Sequence, residues 1–61
     1  MKQYTNSQFR KILRKNGWYF SRQGKGDHSI YVNDAGDTMS VPIRLKPIIT
    51  MGLIKRYNLE V

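Results

Sequence analysis

His28 is the one histidine in the 61-residue sequence, and it follows the turn-like segment Gly24-Lys25-Gly26. An imidazole, with an ordinary pKa of about 6.5, can accept or donate a proton in a reaction near neutral pH. Gly26 lets the backbone approach an anion closely, and Lys25 can neutralise negative charge beside it. These residue types could therefore perform acid–base chemistry on an anionic substrate. The alternatives are an ordinary exposed histidine and a plain solvated turn.

Composition narrows the class of partner. The chain has 11 Lys and Arg against 4 Asp and Glu, a formal net charge of +7, so positive potential covers most of its surface. A nucleic acid is the expected partner, and an acidic protein is the alternative. With no cysteine and few acids, we expect neither a metal nor a cofactor. The polar start and the lack of a long apolar run predict a cytoplasmic protein without membrane association.

A basic amphipathic helix is predicted first, after a short frayed start at residues 1–4. Thr5 and Gln8 have the spacing of a capping box, which marks a helix start, and Asn16-Gly17 marks its end. Between these signals, an apolar stripe lies opposite a row of cations. The stripe comprises Phe9, Ile12 and Leu13, and the cations are Arg10, Lys11, Arg14 and Lys15. This helix should pack its stripe on a sheet.

Three short strands and a second helix are predicted after it. The strands are expected at residues 18–22, 28–32 and 38–41, with turns at 23–27 and 33–37. Pro42 should end the third strand, and Pro47 suits the first turn of a helix over 47–57, with Asn58 as a possible cap. The apolar stripe of this helix comprises Ile49, Leu53, Ile54 and Tyr57. Tyr31 is expected to pack within the sheet, with donation of a proton or stacking on a base as the alternatives. The order α-β-β-β-α predicts one α+β domain, residues 1–61, with a three-stranded antiparallel sheet and both helices on one face.

A series of short stretches occurs in a fixed order along the chain: Ile12-Leu13, Gly17-Trp18, Arg22-Gln23, Gly26-Asp27-His28, Tyr31, Gly36, Val41-Pro42, Leu45-Lys46-Pro47 and Leu53-Ile54-Lys55. In order and spacing, these stretches resemble the HicA (YcfA-like) family of mRNA interferase toxins from Ser7 to Leu59. Many members carry a second histidine beside the first and another shortly after Val-Pro, whereas here these neighbourhoods read His28-Ser29 and Val41-Pro42-Ile43-Arg44.

The resemblance implies a fold like that of the double-stranded-RNA-binding domain and a toxin that acts as a metal-independent endoribonuclease on mRNA. It implies that His28 is the general acid or base and that a HicB-type antitoxin is the protein partner. The residues expected to bind RNA are Lys25, Gly26, Arg22, Lys11, Arg14, Lys15, Arg44 and Lys46. The alternative is a non-catalytic double-stranded-RNA-binding module, for which the missing second histidine is the main reason. A DNA-binding or protein-binding regulator is less consistent with the sequence, which has no helix-turn-helix spacing.

Overall fold

The structure, a computed structural model, describes residues 3–61, so Met1 and Lys2 of the predicted frayed start lie outside the described residues. The elements are α1 (Asn6–Lys15), β1 (Tyr19–Gln23), β2 (His28–Val32), β3 (Thr38–Pro42) and α2 (Pro47–Arg56). The strands form one antiparallel sheet in the order β1-β2-β3. The predicted α+β architecture is therefore confirmed. Pro42 is the last residue of β3 rather than the residue that follows it.

Both ends of α1 form as the sequence predicts. The Thr5 hydroxyl accepts a hydrogen bond from the Gln8 N–H at 3.1 Å, and the Gln8 side chain accepts one from the Thr5 N–H at 2.9 Å. At the other end Gly17 has φ 84°, and the Trp18 N–H donates to the Leu13 carbonyl at 2.8 Å. This is a Schellman motif, in which the glycine adopts the left-handed conformation without steric cost. It brings Trp18 back against α1, where both Trp18 and Leu13 are buried.

The core lies on the face of the sheet that carries Tyr31, Met39 and Val41, and both helices pack there. Tyr31 is only 5% exposed, which confirms its packing role. Tyr4 is half-buried with its ring centroid 6.3 Å from that of Phe9, so the predicted frayed start is wrong for this residue. The buried hydrophobic residues are Phe9, Leu13, Trp18, Tyr31, Met39, Val41 and Leu59.

The second helix buries a polar residue that the predicted apolar stripe leaves out. Thr50 is 1% exposed, and its hydroxyl donates to the Pro47 carbonyl at 3.0 Å, which satisfies the buried oxygen. Ile49, expected in the stripe, is half-buried, and Ile48 is 69% exposed. Asn58 caps the helix with φ 52°, as predicted. Among residues 3–61, neither helix has the length and apolar character needed to cross a membrane.

Candidate active site

His28 lies on the face of the sheet opposite the two helices. In the β2–β3 register His28 pairs with Pro42 and Tyr31 pairs with Met39. Side chains alternate between the two faces along a strand, so His28 shares a face with Ile30 and points away from Tyr31. We call this surface the open face. The His28 side chain is exposed there, at the end of the sheet where β2 begins.

A β-bulge places Arg22 on the same face. Phe20 pairs with Tyr31 and Arg22 pairs with Ile30, so the register shifts at Ser21. In a regular strand residues i and i+2 share a face, but the extra residue of a bulge reverses this relation. Phe20 therefore stays on the helix side while Arg22 turns to the open face, diagonal to His28. Arg22 is exposed there.

Two glycines with different constraints precede His28. The Gly24 N–H donates to the His28 carbonyl at 2.7 Å, which extends the β1–β2 pairing by one residue. A Cβ on Gly24 would lie 3.0 Å from Ile30 Cδ1, so a side chain at this position would crowd the open face next to His28. Gly26 has φ 66° with open space around its Cα, so the turn conformation is what favours glycine there. The turn before His28 therefore has space for a ligand at Gly26, where a Cβ would meet nothing within 4 Å.

A backbone hydrogen bond brings the turn before His28 close to the segment after β3. The Ile43 N–H donates to the Asp27 carbonyl at 2.7 Å, which continues the β2–β3 pairing beyond Pro42. Asp27 thus contributes its main-chain carbonyl to this contact, and its side chain is exposed. The contact places Arg44 at the same end of the sheet as Lys25.

The sequence-predicted RNA-binding residues fall into two groups. The first group surrounds the His28 end of the sheet: Arg22, Lys25, Gly26, Arg44 and Lys46. The second group lies on the outer surface of α1, on the other side of the sheet: Lys11, Arg14 and Lys15. All of the named cations are exposed. Arg22 shares the open face with His28, Lys25 lies in the turn before it and Arg44 follows the Asp27–Ile43 hydrogen bond, whereas Lys46 is the N-cap of α2 and the second group lies on α1.

The carboxylates are distributed differently from the cations. Asp34 and Asp37 lie in the β2–β3 turn, at the end of the sheet far from His28. The Glu60 backbone exchanges two hydrogen bonds with the Asn16 side chain, of 2.8 and 2.9 Å. Residues 3–61 contain no group of three His, Asp or Glu side chains placed to hold a metal ion. The remaining carboxylate, Asp27, directly precedes His28 and is exposed, so the cations Arg22, Lys25 and Arg44 at this end of the sheet outnumber the carboxylate beside them.

Sequence reasoning did not identify a groove that lies on the helix side of the sheet, at the same end as His28. The groove has a volume of about 350 Å³ and includes Arg10, Phe20, Gln23 and Ser29 in its lining. Two of these residues, Gln23 and Ser29, face each other across β1 and β2. The imperfect alternation of β1 is the only hint in the sequence, since the bulge that turns Phe20 to this side depends on the strand register.

Comparison with protein families gives one match. The family of the HicA toxin of bacterial toxin–antitoxin systems matches residues 7–58, the main part of the chain. The protein belongs to the HicA toxin family. The resemblance that its residues predicted is thereby confirmed, and HicA toxins pair with an antitoxin. Comparisons with curated proteins and with solved structures gave no match.

Proposed function

We propose that this HicA toxin is a metal-independent endoribonuclease that cleaves mRNA in the cytoplasm, with His28 as its general acid or base. The observation that carries the proposal is the position of His28. Its imidazole is exposed on the open face, at the basic end of the sheet and beside Gly24, which has no side chain to obstruct a substrate. A catalytic group must be within hydrogen-bond reach of the proton that it transfers, and here RNA can approach closely.

The reaction that fits this site is attack by the ribose 2′-hydroxyl on the adjacent phosphorus. A bond from the 2′-oxygen to phosphorus forms as the bond to the 5′-oxygen breaks, which gives a 2′,3′-cyclic phosphate and a 5′-hydroxyl. His28 transfers one of the two protons involved, and water at the exposed site transfers the other. Tyr31 takes no part, because it is buried on the opposite side of the sheet.

The cations around His28 supply charge stabilisation. Arg22 shares the open face with His28, and Lys25 lies in the turn directly before it. We assign Arg22 and Lys25 to the phosphates next to the cleaved bond, with the Gly26 backbone beside them. Arg44 and Lys46 extend this charge along the end of the sheet. Lys11, Arg14 and Lys15 contact more distant parts of the RNA and contribute mainly to long-range attraction.

A HicB-type antitoxin completes the proposed system. Membership of the family implies an antitoxin partner, and the chemistry of the toxin indicates where it binds. The open face carries Arg22 and the exposed ring of Tyr19, 47% accessible, and the helices pack on the other face. We assign the open face to the antitoxin, whose acidic groups neutralise Arg22 and whose bulk keeps RNA away from His28.

Replacement of His28 tests the catalytic assignment. We expect His28→Ala to lower RNA cleavage by about 100- to 10,000-fold, the usual contribution of a general acid or base, and to abolish growth arrest on expression. Thr38→Ala is the matched control, since Thr38 is also exposed on the open face but lies at the far end of the sheet. Circular dichroism establishes that both variants fold. A His28→Ala protein that cleaves at the wild-type rate contradicts the assignment.

The substrate provides a second test of the same mechanism. RNA with a 2′-deoxyribose at the cleaved position should resist, and cleavage of ordinary RNA should continue in EDTA and leave 2′,3′-cyclic ends. A requirement for added magnesium would contradict metal independence. If wild type and His28→Ala both bind RNA and neither cleaves it, the non-catalytic RNA-binding module is the correct function. The presence of one histidine where many members carry more is what favours that second candidate.

A further inference from the structure

The groove on the helix side ends close to His28. It lies between the first turns of α1 and the ends of the three strands, and Ser29 and Pro42 are part of its lining. Ser29 directly follows His28, and Pro42 is the β3 partner of His28. The groove and the catalytic histidine therefore occupy opposite faces of the same end of a single sheet. A flexible strand that passes around this end can meet both.

The groove has an apolar wall and polar rims. Phe20 is 55% exposed, and its ring is held at 80° to the Tyr31 ring with centroids 5.9 Å apart. This leaves one accessible aromatic surface of fixed orientation. The Gln23 amide and the Ser29 hydroxyl lie beside it, and Arg10 of α1 supplies a cation. Its volume of about 350 Å³ is at the small end of the range for sites that bind small molecules.

These features fit a nucleobase better than an apolar peptide side chain. A base needs an aromatic surface on which to stack, donors and acceptors for its edge, and a cation for its phosphate. The ring of Phe20 provides the stacking surface, and the side chains of Gln23 and Ser29 provide the donors and acceptors. Arg10 provides the cation. An apolar side chain would leave the amide and hydroxyl without partners, whereas the formal net charge of +7 favours a polyanion.

We propose that this groove binds one unpaired nucleobase of the RNA, next to the phosphate at His28. The proposal rests on the proposed ribonuclease function, and it names the part of the molecule that selects where the RNA is cut. The base that stacks on Phe20 determines which nucleotide precedes or follows the cleaved bond. The substrate class is accordingly single-stranded RNA at the cut site, because a paired base cannot enter the groove.

Nucleotide binding can be measured without any cleavage. We would titrate the His28→Ala chain with AMP, GMP, CMP and UMP, and with ribose 5-phosphate, and follow the amide signals of Gln23 and Ser29 by NMR. At least one nucleotide should shift both signals, and ribose 5-phosphate should not, since it has no base to stack. Signals that do not respond to any nucleotide, or that respond equally to ribose 5-phosphate, would overturn the proposal.

A matched pair of aromatic substitutions locates the site. Phe20→Leu keeps an apolar side chain against Tyr31 and should weaken nucleotide binding about 5-fold or more through the loss of stacking. Tyr19→Leu is the control, because Tyr19 is its neighbour, is similarly exposed and lies on the opposite face. Gln23→Ala, at an exposed position, tests the groove without disturbing the core. Equal loss in the Phe20 and Tyr19 variants would contradict the assignment.

These experiments test the nucleobase site independently of whether the chain cleaves RNA. If the groove binds nucleotides but the wild type has no ribonuclease activity, the proposed function fails and the nucleobase site stands. If RNA is cleaved with wild-type cut-site preference by Phe20→Leu, the nucleobase site fails and the proposed function stands. Loss of binding to an antitoxin in Phe20→Leu, with nucleotide titrations unchanged, would identify the groove as a protein-docking surface and overturn the proposal.

Discussion

Two basic surfaces of the protein are alike in charge and different in position. The outer surface of α1 carries Lys11, Arg14 and Lys15, and the His28 end of the sheet carries a similar number of exposed cations. The outer surface of α1 faces solvent with the core and the sheet between it and His28. The end of the sheet brings its cations to the same open face as the imidazole or to the loops beside it.

This difference shows that charge alone does not identify a catalytic surface. A row of cations on a helix keeps the helix soluble and attracts polyanions wherever the helix lies. Stabilisation of a transition state requires charges within a few ångströms of the reacting phosphate. The bulge at Ser21 places Arg22 on the open face with His28, and Lys25 lies in the turn before His28, so the proposed function assigns this role to these two cations.

Charge reversal on the two surfaces should have very different effects on cleavage. We expect Arg22→Glu with Lys25→Glu to lower kcat/KM by about 10- to 100-fold, since both phosphate contacts next to the reaction are lost. Lys11→Glu with Arg14→Glu should lower it only about 3-fold, through weaker attraction at a distance. Single-turnover cleavage of one RNA under identical salt conditions measures both.

The two double variants control for each other. Each reverses two cations, so both have the same formal net charge, four units below the wild-type +7. A difference between them must then arise from where the charges lie. If the α1 variant loses as much activity as the sheet variant, RNA contacts α1 closely during the reaction, and the distinction between the two surfaces is wrong.

Salt dependence should separate the surfaces more finely. Neutral substitution of Arg22 and Lys25 by Gln should reduce the slope of log affinity against log salt by about 1.4, since each contact with a single-stranded phosphate contributes about 0.7. The corresponding Lys11 and Arg14 variant should change the slope by less than half of that. Binding to a non-cleavable 2′-deoxy-substituted RNA at several salt concentrations gives both slopes. Equal reductions would show that the two surfaces bind phosphates equally.

The sequence predicts the elements of this fold better than their faces. Local signals, such as the Thr5–Gln8 capping box and Gly17, form the motifs that their chemistry indicates. These signals depend on neighbours within a few residues. The burial of Thr50 could not be anticipated, because it depends on how α2 is rotated against the sheet and on a hydroxyl that bonds to the preceding turn.

In the candidate site, too, local features could be predicted from the sequence, whereas the faces on which side chains lie could not. His28 could be identified because its type, its motif and its resemblance to a family all point to it, and its strand was predicted with the correct bounds. The face that it shares with Arg22 could not, since one extra residue in β1 reverses every side chain that follows it. The groove beside Phe20 was missed for the same reason, because a pocket is a property of packed elements and not of a segment.

Removal of the capping box should have the smallest effect of the changes considered. It should lower the stability of the fold without changing the candidate site. Thr5→Ala removes the oxygen that accepts the Gln8 N–H, which should lower the free energy of unfolding by about 1 kcal/mol and Tm by about 4–8 °C. Ser7→Ala, also exposed at the start of α1 but outside the capping pair, is the control and should leave Tm nearly unchanged. Cleavage at temperatures well below Tm should be equal in wild type and both variants, because neither Thr5 nor Ser7 lines the groove, and a folded α1 still holds Arg10 beside it. Thermal denaturation and cleavage of the same samples measure both quantities. A Thr5→Ala protein with reduced cleavage while fully folded would show that Thr5 itself takes part in the reaction.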